Sequence, residues 1–160
     1  MDVRSLGPED REALSIFACA GTAPWSREIE EVIRGELAEA ITRRDVEGAG
    51  LYVGDRLVAV SVWTTSSVMR VSSLAHDPTR WRSTTIAVTY GHRGNGYARM
   101  MKSRLIEVAR ASGAKSLTSF VHEDNAAMIA VNTSLGGRFT RDPTLNDYRP
   151  SPYLIFDFRL

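Results

Sequence analysis

The sequence predicts a mixed α/β domain in the order strand, two helices, three strands, helix, strand, helix, strand. Three observations carry that expectation. The chain has 160 residues, 43% of them hydrophobic and 24% charged, which suits one core in one domain spanning 1–160. Stretches with apolar residues three and four apart are interleaved with short β-branched and aromatic runs. The breaks between them are compact turns bearing Gly, Pro and Asp, with no internal repeat and no low-complexity tract. The irregular order of strands and helices points to a mixed α/β (α+β) layout and away from a regular doubly wound one.

Each element follows from local chemistry. Val3 to Leu6 reads as a short strand. Gly7-Pro8-Glu9-Asp10 opens a helix, because proline fits the first turn and acids suit the positive end of the helix dipole. Ala13, Leu14, Phe17 and Ala18 form its apolar stripe. Gly21 to Pro24 breaks the chain. A second helix runs from about Ser26 to Arg44, with Ile29, Val32, Ile33, Leu37, Ala40 and Ile41 facing inward. Leu51–Val53 and Leu57–Trp63 read as strands joined by a tight turn at Gly54-Asp55. Ser66 to Trp81 lacks a period and reads as a loop. Thr84 to Tyr90 (TTIAVTY) is β-branched and aromatic, the predicted central strand. Gly91 to Gly96 is a glycine-rich turn into a helix over about Gly96–Ser112, with Gly113 placed to cap its end. Leu117–Val121 is the next strand. A short helix follows Asn125, with Met128, Val131 and Leu135 inward, and ends at Gly136-Gly137. Tyr153–Phe158 (YLIFDF) is the last strand.

Charge and cysteine content narrow the function classes. Twenty basic residues against nineteen acidic ones give a net charge of +1, so no global field favours nucleic acid or an anionic membrane. Cys19 is the single cysteine. An intramolecular disulfide is therefore impossible, and three scattered histidines offer no metal spacing. Met1 to Arg11 has no apolar run of the signal-peptide kind, and nothing approaches the roughly 20 apolar residues of a membrane span. The expectation is a cytoplasmic domain without metal, nucleic acid or membrane.

The informative segment is Ile86-Ala87-Val88-Thr89-Tyr90-Gly91-His92-Arg93-Gly94-Asn95-Gly96-Tyr97-Ala98. It is a strand, a glycine-rich turn and a helix start. Backbone N–H groups at a helix start lack internal partners and, with the dipole, favour an anion. Glycines allow close approach, and Arg93 can add a charge-assisted hydrogen bond. The P-loop pattern fails, because no Gly-Lys-Ser/Thr ends the turn. The dinucleotide fingerprint fails too, since Arg99 stands where its third glycine belongs. Arg93-x-x-Gly96-x-Ala98 instead resembles the pyrophosphate loop of the GNAT superfamily of N-acetyltransferases, which bind acetyl-coenzyme A. The likeness continues through Lys102 to Thr118, Asn125, Met128, Asn132 and Leu135-Gly136. This second pattern is similar to the subgroup with mycothiol acetyltransferase-like domains. The matching stretch, about 84–139, covers roughly a third of the chain.

The resemblance implies a fold and a site. The fold is a mixed, mostly antiparallel central sheet flanked by helices and splayed between its fourth and fifth strands. Acetyl-CoA is the implied acyl donor. Ile86, Ala87 and Val88 would pair through their backbone with the pantetheine arm, like an added strand. An N–H near Val88 would polarise the thioester carbonyl. Arg93, Gly94, Asn95, Gly96, Tyr97 and Ala98 would cradle the pyrophosphate. Asn125 would contact the arm, cap the following helix, or both. The implied reaction is direct attack of a neutral amine in a ternary complex.

Two departures stand out. Many relatives carry a tyrosine that protonates the leaving thiolate, where this chain has Asn132. An amide donates a hydrogen bond but is no proton source. Many relatives also place a glutamate base early in the central strand, where this chain reads Arg82-Ser83-Thr84-Thr85. The remaining base candidates are His122, Glu123 and Asp124, with His76 or Asp77 in the loop. The first expectation is a small-molecule amine acceptor. The alternatives are a protein or peptide acceptor, and an acyl-CoA-binding regulatory domain without turnover. Acceptor specificity would come from this domain's own loops and helices or from a second copy of the chain in a homodimer.

Overall fold

The computed structural model describes residues 1–19, 24–43, 46–65, 79–140 and 153–160. Most of the expected loop, with His76 and Asp77, lies outside the described residues. The chain opens with strand β1 (Asp2–Ser5), a single 3-10 turn at Pro8–Asp10 and helix α1 (Arg11–Ser15). The next helix is α2 (Pro24–Val32), which widens into a π-helical turn at Ile33–Leu37 and returns to α geometry in α3 (Ala38–Thr42). Three strands follow, β2 (Glu47–Val53), β3 (Arg56–Thr65) and β4 (Arg80–Val88). Helix α4 (Tyr97–Ala111), strand β5 (Ser116–His122), helix α5 (Ala126–Ser134) and strands β6 (Arg138–Thr140) and β7 (Tyr153–Arg159) complete the order. Strand β6 is an addition to the six strands expected; three residues are too few to show a period. β4 begins four residues before Thr84 and ends before Thr89. Among the described residues no helix is long and apolar enough to cross a membrane.

The seven strands form one sheet in the order β1-β2-β3-β4-β5-β7-β6. Every neighbouring pair is antiparallel except β4 and β5, which run parallel. The α4 crossover makes that parallel pair possible, since a hairpin cannot. Helices α4 and α5 cover one face. There Met101 and Leu105 of α4, both fully buried, pack with Trp63, Trp81, Leu117, Val121, Phe156 and Phe158. Each such burial contributes on the order of 2 kcal/mol. Trp63 and Trp81 stack at 6.4 Å within this layer. Helices α1 to α3 cover the other face with Leu14, Phe17, Ile33, Leu37 and Ile41 against Val60, Val62 and Ala87. Asp10 ties this N-terminal layer down. It accepts from the Gly7 N–H at 2.8 Å and from the Tyr52 hydroxyl, and Arg4 lies 3.5 Å away.

One irregularity positions everything that follows. Opposite β3, Val62 pairs with Thr85 and Trp63 with Ser83, which leaves Thr84 as an extra residue in β4. Side chains alternate along a strand, so Trp81 and Ile86, an odd number apart, should face opposite ways. Both nevertheless pack against the α4 side. The bulge at Thr84 supplies the missing half-step. It also bends β4 away from β5, whose register with β4 runs only from Arg80↔Ser116 to Ser83↔Ser119.

Candidate functional site

The turn after β4 is held by its own residues. The Thr89 N–H donates to the Val58 carbonyl at 2.9 Å, and the buried Thr89 hydroxyl meets His92 Nδ1 at 2.9 Å. His92 therefore supports the turn. Asn95 Nδ2 donates to the carbonyls of His92 at 3.1 Å and Arg93 at 3.3 Å. Gly94 and Gly96 have φ of +81° and +76°. A Cβ at either would meet nothing within 4 Å, so the left-handed backbone, not crowding, demands glycine there. Gly96 caps α4, whose first turn holds no acid. The N–H groups from Gly94 to Ala98 donate to none of the described backbone acceptors. A helix of fifteen residues whose first N–H groups point outward is suited to a phosphate. The Arg93 guanidinium donates to the Cys19 carbonyl and lies 5.3 Å from the Tyr90 ring centre. It is thus braced against the α1 exit, beside the loop.

The second half of the site is the opening between β4 and β5. Beyond Ser83 and Ser119 the two strands part, and a cleft of about 190 Å³ occupies the gap. One wall is β4 from Arg82 to Ile86, and the other is β5 from Ser119 to His122. Asn125 and Met128 at the start of α5 close one side, and Ile29 and Val32 of α2 with Tyr153 the other. The open edge of β4 has a defined polarity. Because the Thr89 N–H turns to β3, alternation turns those of Val88 and Ile86 toward the gap.

The structure sorts the sequence candidates. Ile86, His122 and Asn125 line the cleft. Asn125 accepts the Met128 N–H at 3.1 Å and so caps α5 while facing the gap. Ala87 turns its methyl into the α1–α3 core, and Tyr97 packs against the α4-side core. Glu123 is exposed and stands outside the cleft lining. Asn132 is fully buried, and neither atom of its amide has a partner. It too stands outside the cleft lining. His122 Nδ1 accepts the Asp124 N–H at 3.2 Å and sits 3.7 Å from the Asp124 carboxylate. The edge of its ring meets Tyr153 at 5.4 Å. With the proton on Nε2 the ring is a donor; moving it to Nδ1, beside Asp124, leaves Nε2 able to accept a proton. Sequence reasoning missed Tyr153, Phe120 and the place of Ile29 and Val32 in the cleft. The helical spacing of Ile29 and Val32 marked them as inward, but their opposing partner lies some ninety positions away.

The comparisons agree with this fold. The model of the Acetyltransferase (GNAT) family matches residues 12–136. No curated protein matches the chain. Among solved structures, the ribosomal-protein-alanine N-acetyltransferase from Brucella melitensis superposes with a TM-score of 0.72 at 17% identity, covering 100% of both chains. The ribosomal-protein-S18-alanine N-acetyltransferase from Escherichia coli gives 0.69 at 21% identity, over 99% of this chain and 92% of that one. The PaiA N-acetyltransferase from Thermoplasma acidophilum, in complex with coenzyme A, gives 0.72 at 11% identity over 100% of both. At these identities the likeness concerns the fold.

Proposed function

Because the chain belongs to the Acetyltransferase (GNAT) family, we propose that it moves an acetyl group from acetyl-CoA to the primary amine of a small molecule, with both bound at once. The observation that carries this reading is the early end of the β4–β5 register, which leaves a β4 edge running from Thr84 into the glycine turn. The residues present fit the coenzyme. The Gly94–Ala98 N–H groups suit its pyrophosphate, and the N–H groups of Ile86 and Val88 suit the amides of its arm. When bound, the coenzyme supplies an acetyl group activated as a thioester.

The chain's own part is then mainly alignment. A backbone N–H of Ile86 or Val88 polarises the carbonyl, a contact worth about 3 kcal/mol in comparable sites. His122, which lines the cleft, takes the amine proton at Nε2 only once its own proton has moved to Nδ1, at the cost of the hydrogen bond that Nδ1 accepts from the Asp124 N–H. Asn125 faces the arm from the α5 cap. Asn132, fully buried and outside the cleft lining, contributes no contact to the arm. It donates no proton, so water protonates the leaving thiolate.

A protein acceptor is the second reading, favoured by the ribosomal-protein acetyltransferases among the similar folds. Mass spectrometry of proteins treated with enzyme and labelled acetyl-CoA separates the two. The primary test is calorimetry with coenzyme A, followed by release of free thiol from acetyl-CoA across an amine panel. We expect saturable binding and thiol release. Absence of coenzyme binding overturns the reading, and tight binding without turnover on any amine or protein converts it to a regulatory acyl-CoA-binding domain.

A further inference from the structure

We propose that the acceptor carries a carboxylate a few bonds from its amine, and that Arg82 reads it; this rests on the acetyl-transfer reading above. Arg82 pairs with Thr118 one step before the strands part, so it stands at the apex of the cleft. Its guanidinium carbon lies 4.3 Å from the centre of the Phe120 ring, the first β5 residue beyond the last pair. Stacking on an aromatic face holds the planar fork in one orientation, which suits bidentate recognition of a carboxylate. Arg82 makes a further contact besides this one. A guanidinium has five N–H donors, so a carboxylate can share it.

Two other observations direct the inference to the acceptor and away from the coenzyme. First, Trp81 packs on the α4 side of the sheet, so Arg82 faces the α2 side, with Ile29 and Val32. The phosphate-suited turn lies at the other end of β4, more than six residues on, or roughly 20 Å along the strand. An anion at Arg82 is therefore not the coenzyme's pyrophosphate. Second, the described residues lining the cleft contribute Arg82, His122 and several hydroxyls but no Asp or Glu. That lining disfavours an acceptor with a second cation and suits one with an anion. Because Thr84 is an extra residue, Arg82 to the Ile86 N–H spans three regular steps, roughly 10 Å of strand. The guanidinium leans along the cleft over Phe120, one step beyond the last pair, which leaves room for a short amino acid.

The test compares 4-aminobutyrate with 4-aminobutanamide, which differ only in the carboxylate, together with glycine and 5-aminopentanoate to vary its reach. We expect kcat/KM for at least one carboxylate to exceed that of its neutral amide tenfold or more. In Arg82→Gln that ratio should fall close to one, chiefly through KM, and Arg82→Lys should keep part of it. Equal rates for acid and amide in the wild type overturn the proposal, as does a preference that survives Arg82→Gln. Coenzyme binding with no acetylation of any carboxylate-bearing amine overturns it as well. Failure to bind coenzyme A at all refutes the acetyl-transfer reading itself, so the two failures are distinguishable.

Discussion

Lys102 shows how one side chain can set a pH dependence. It is fully buried on α4, its Nζ has no hydrogen-bond partner, and it lies 4.8 Å from the centre of the Phe158 ring. Burial lowers its pKa from 10.5 to about 7. Between those values the unfolded chain holds a proton that the folded chain has released. Stability should therefore rise with pH from about 7 to about 10, by up to about 1.4 kcal/mol per unit, and the burial cost should be constant below 7. Urea melts of wild type and Lys102→Met across pH 6–10 check this. The variant should be the more stable near pH 7 and should lack the rise. Gly96 belongs to the same scale. At φ +76° a β-branched side chain strains the backbone by about 1–3 kcal/mol and reorients the first N–H groups of α4. Gly96→Val should fold, by circular dichroism, yet bind coenzyme A at least tenfold more weakly in calorimetry.

At the scale of elements, α5 separates structure from binding at one residue. Asn125→Ala removes the cap on Met128 and should cost about 1 kcal/mol in denaturant unfolding. Asn125→Asp keeps a cap acceptor but brings a negative charge into the cleft. Near-native stability with weakened coenzyme binding in Asn125→Asp would show that the residue does both jobs; unchanged affinity would leave it a cap alone. The helices and the glycine turn were legible in the sequence because their causes are local. Leu105 and Ala109 recur at helical spacing, and glycine at 94 and 96 announces a left-handed turn. The resemblance implied a bulge in this strand but its position was not legible, because Thr84 looks like any β-branched strand residue until its partner on β3 is known. With it went the facing of Arg82 and Ile86. His122 stood out as a base candidate just past its strand, but Phe120 and Tyr153 read as ordinary strand residues, since only the sheet order brings β5 and β7 beside the opening.

For the whole molecule, the cleft divides the sheet into parts contiguous in sequence. β1 to β4 come from residues 2–88 and β5 to β7 from residues 116–159, and only four residue pairs join β4 to β5. An arm seated between them would bond to both. Coenzyme A at a hundred times its Kd should stabilise the fold by about 2.7 kcal/mol, which is a rise of roughly 5–10 °C in Tm by scanning calorimetry. Hydrogen exchange should slow at Ile86 and Val88, and an unchanged rate there would place the arm elsewhere. The short seam has a mechanical consequence too. Pulled from anchors in β3 and β7, the sheet should yield first along those four pairs, because the seams on either side of them, β3–β4 and β5–β7, hold seven pairs each. A tether experiment with optical tweezers should then show an early low-force rupture, and the ligand should act as a rivet that raises it.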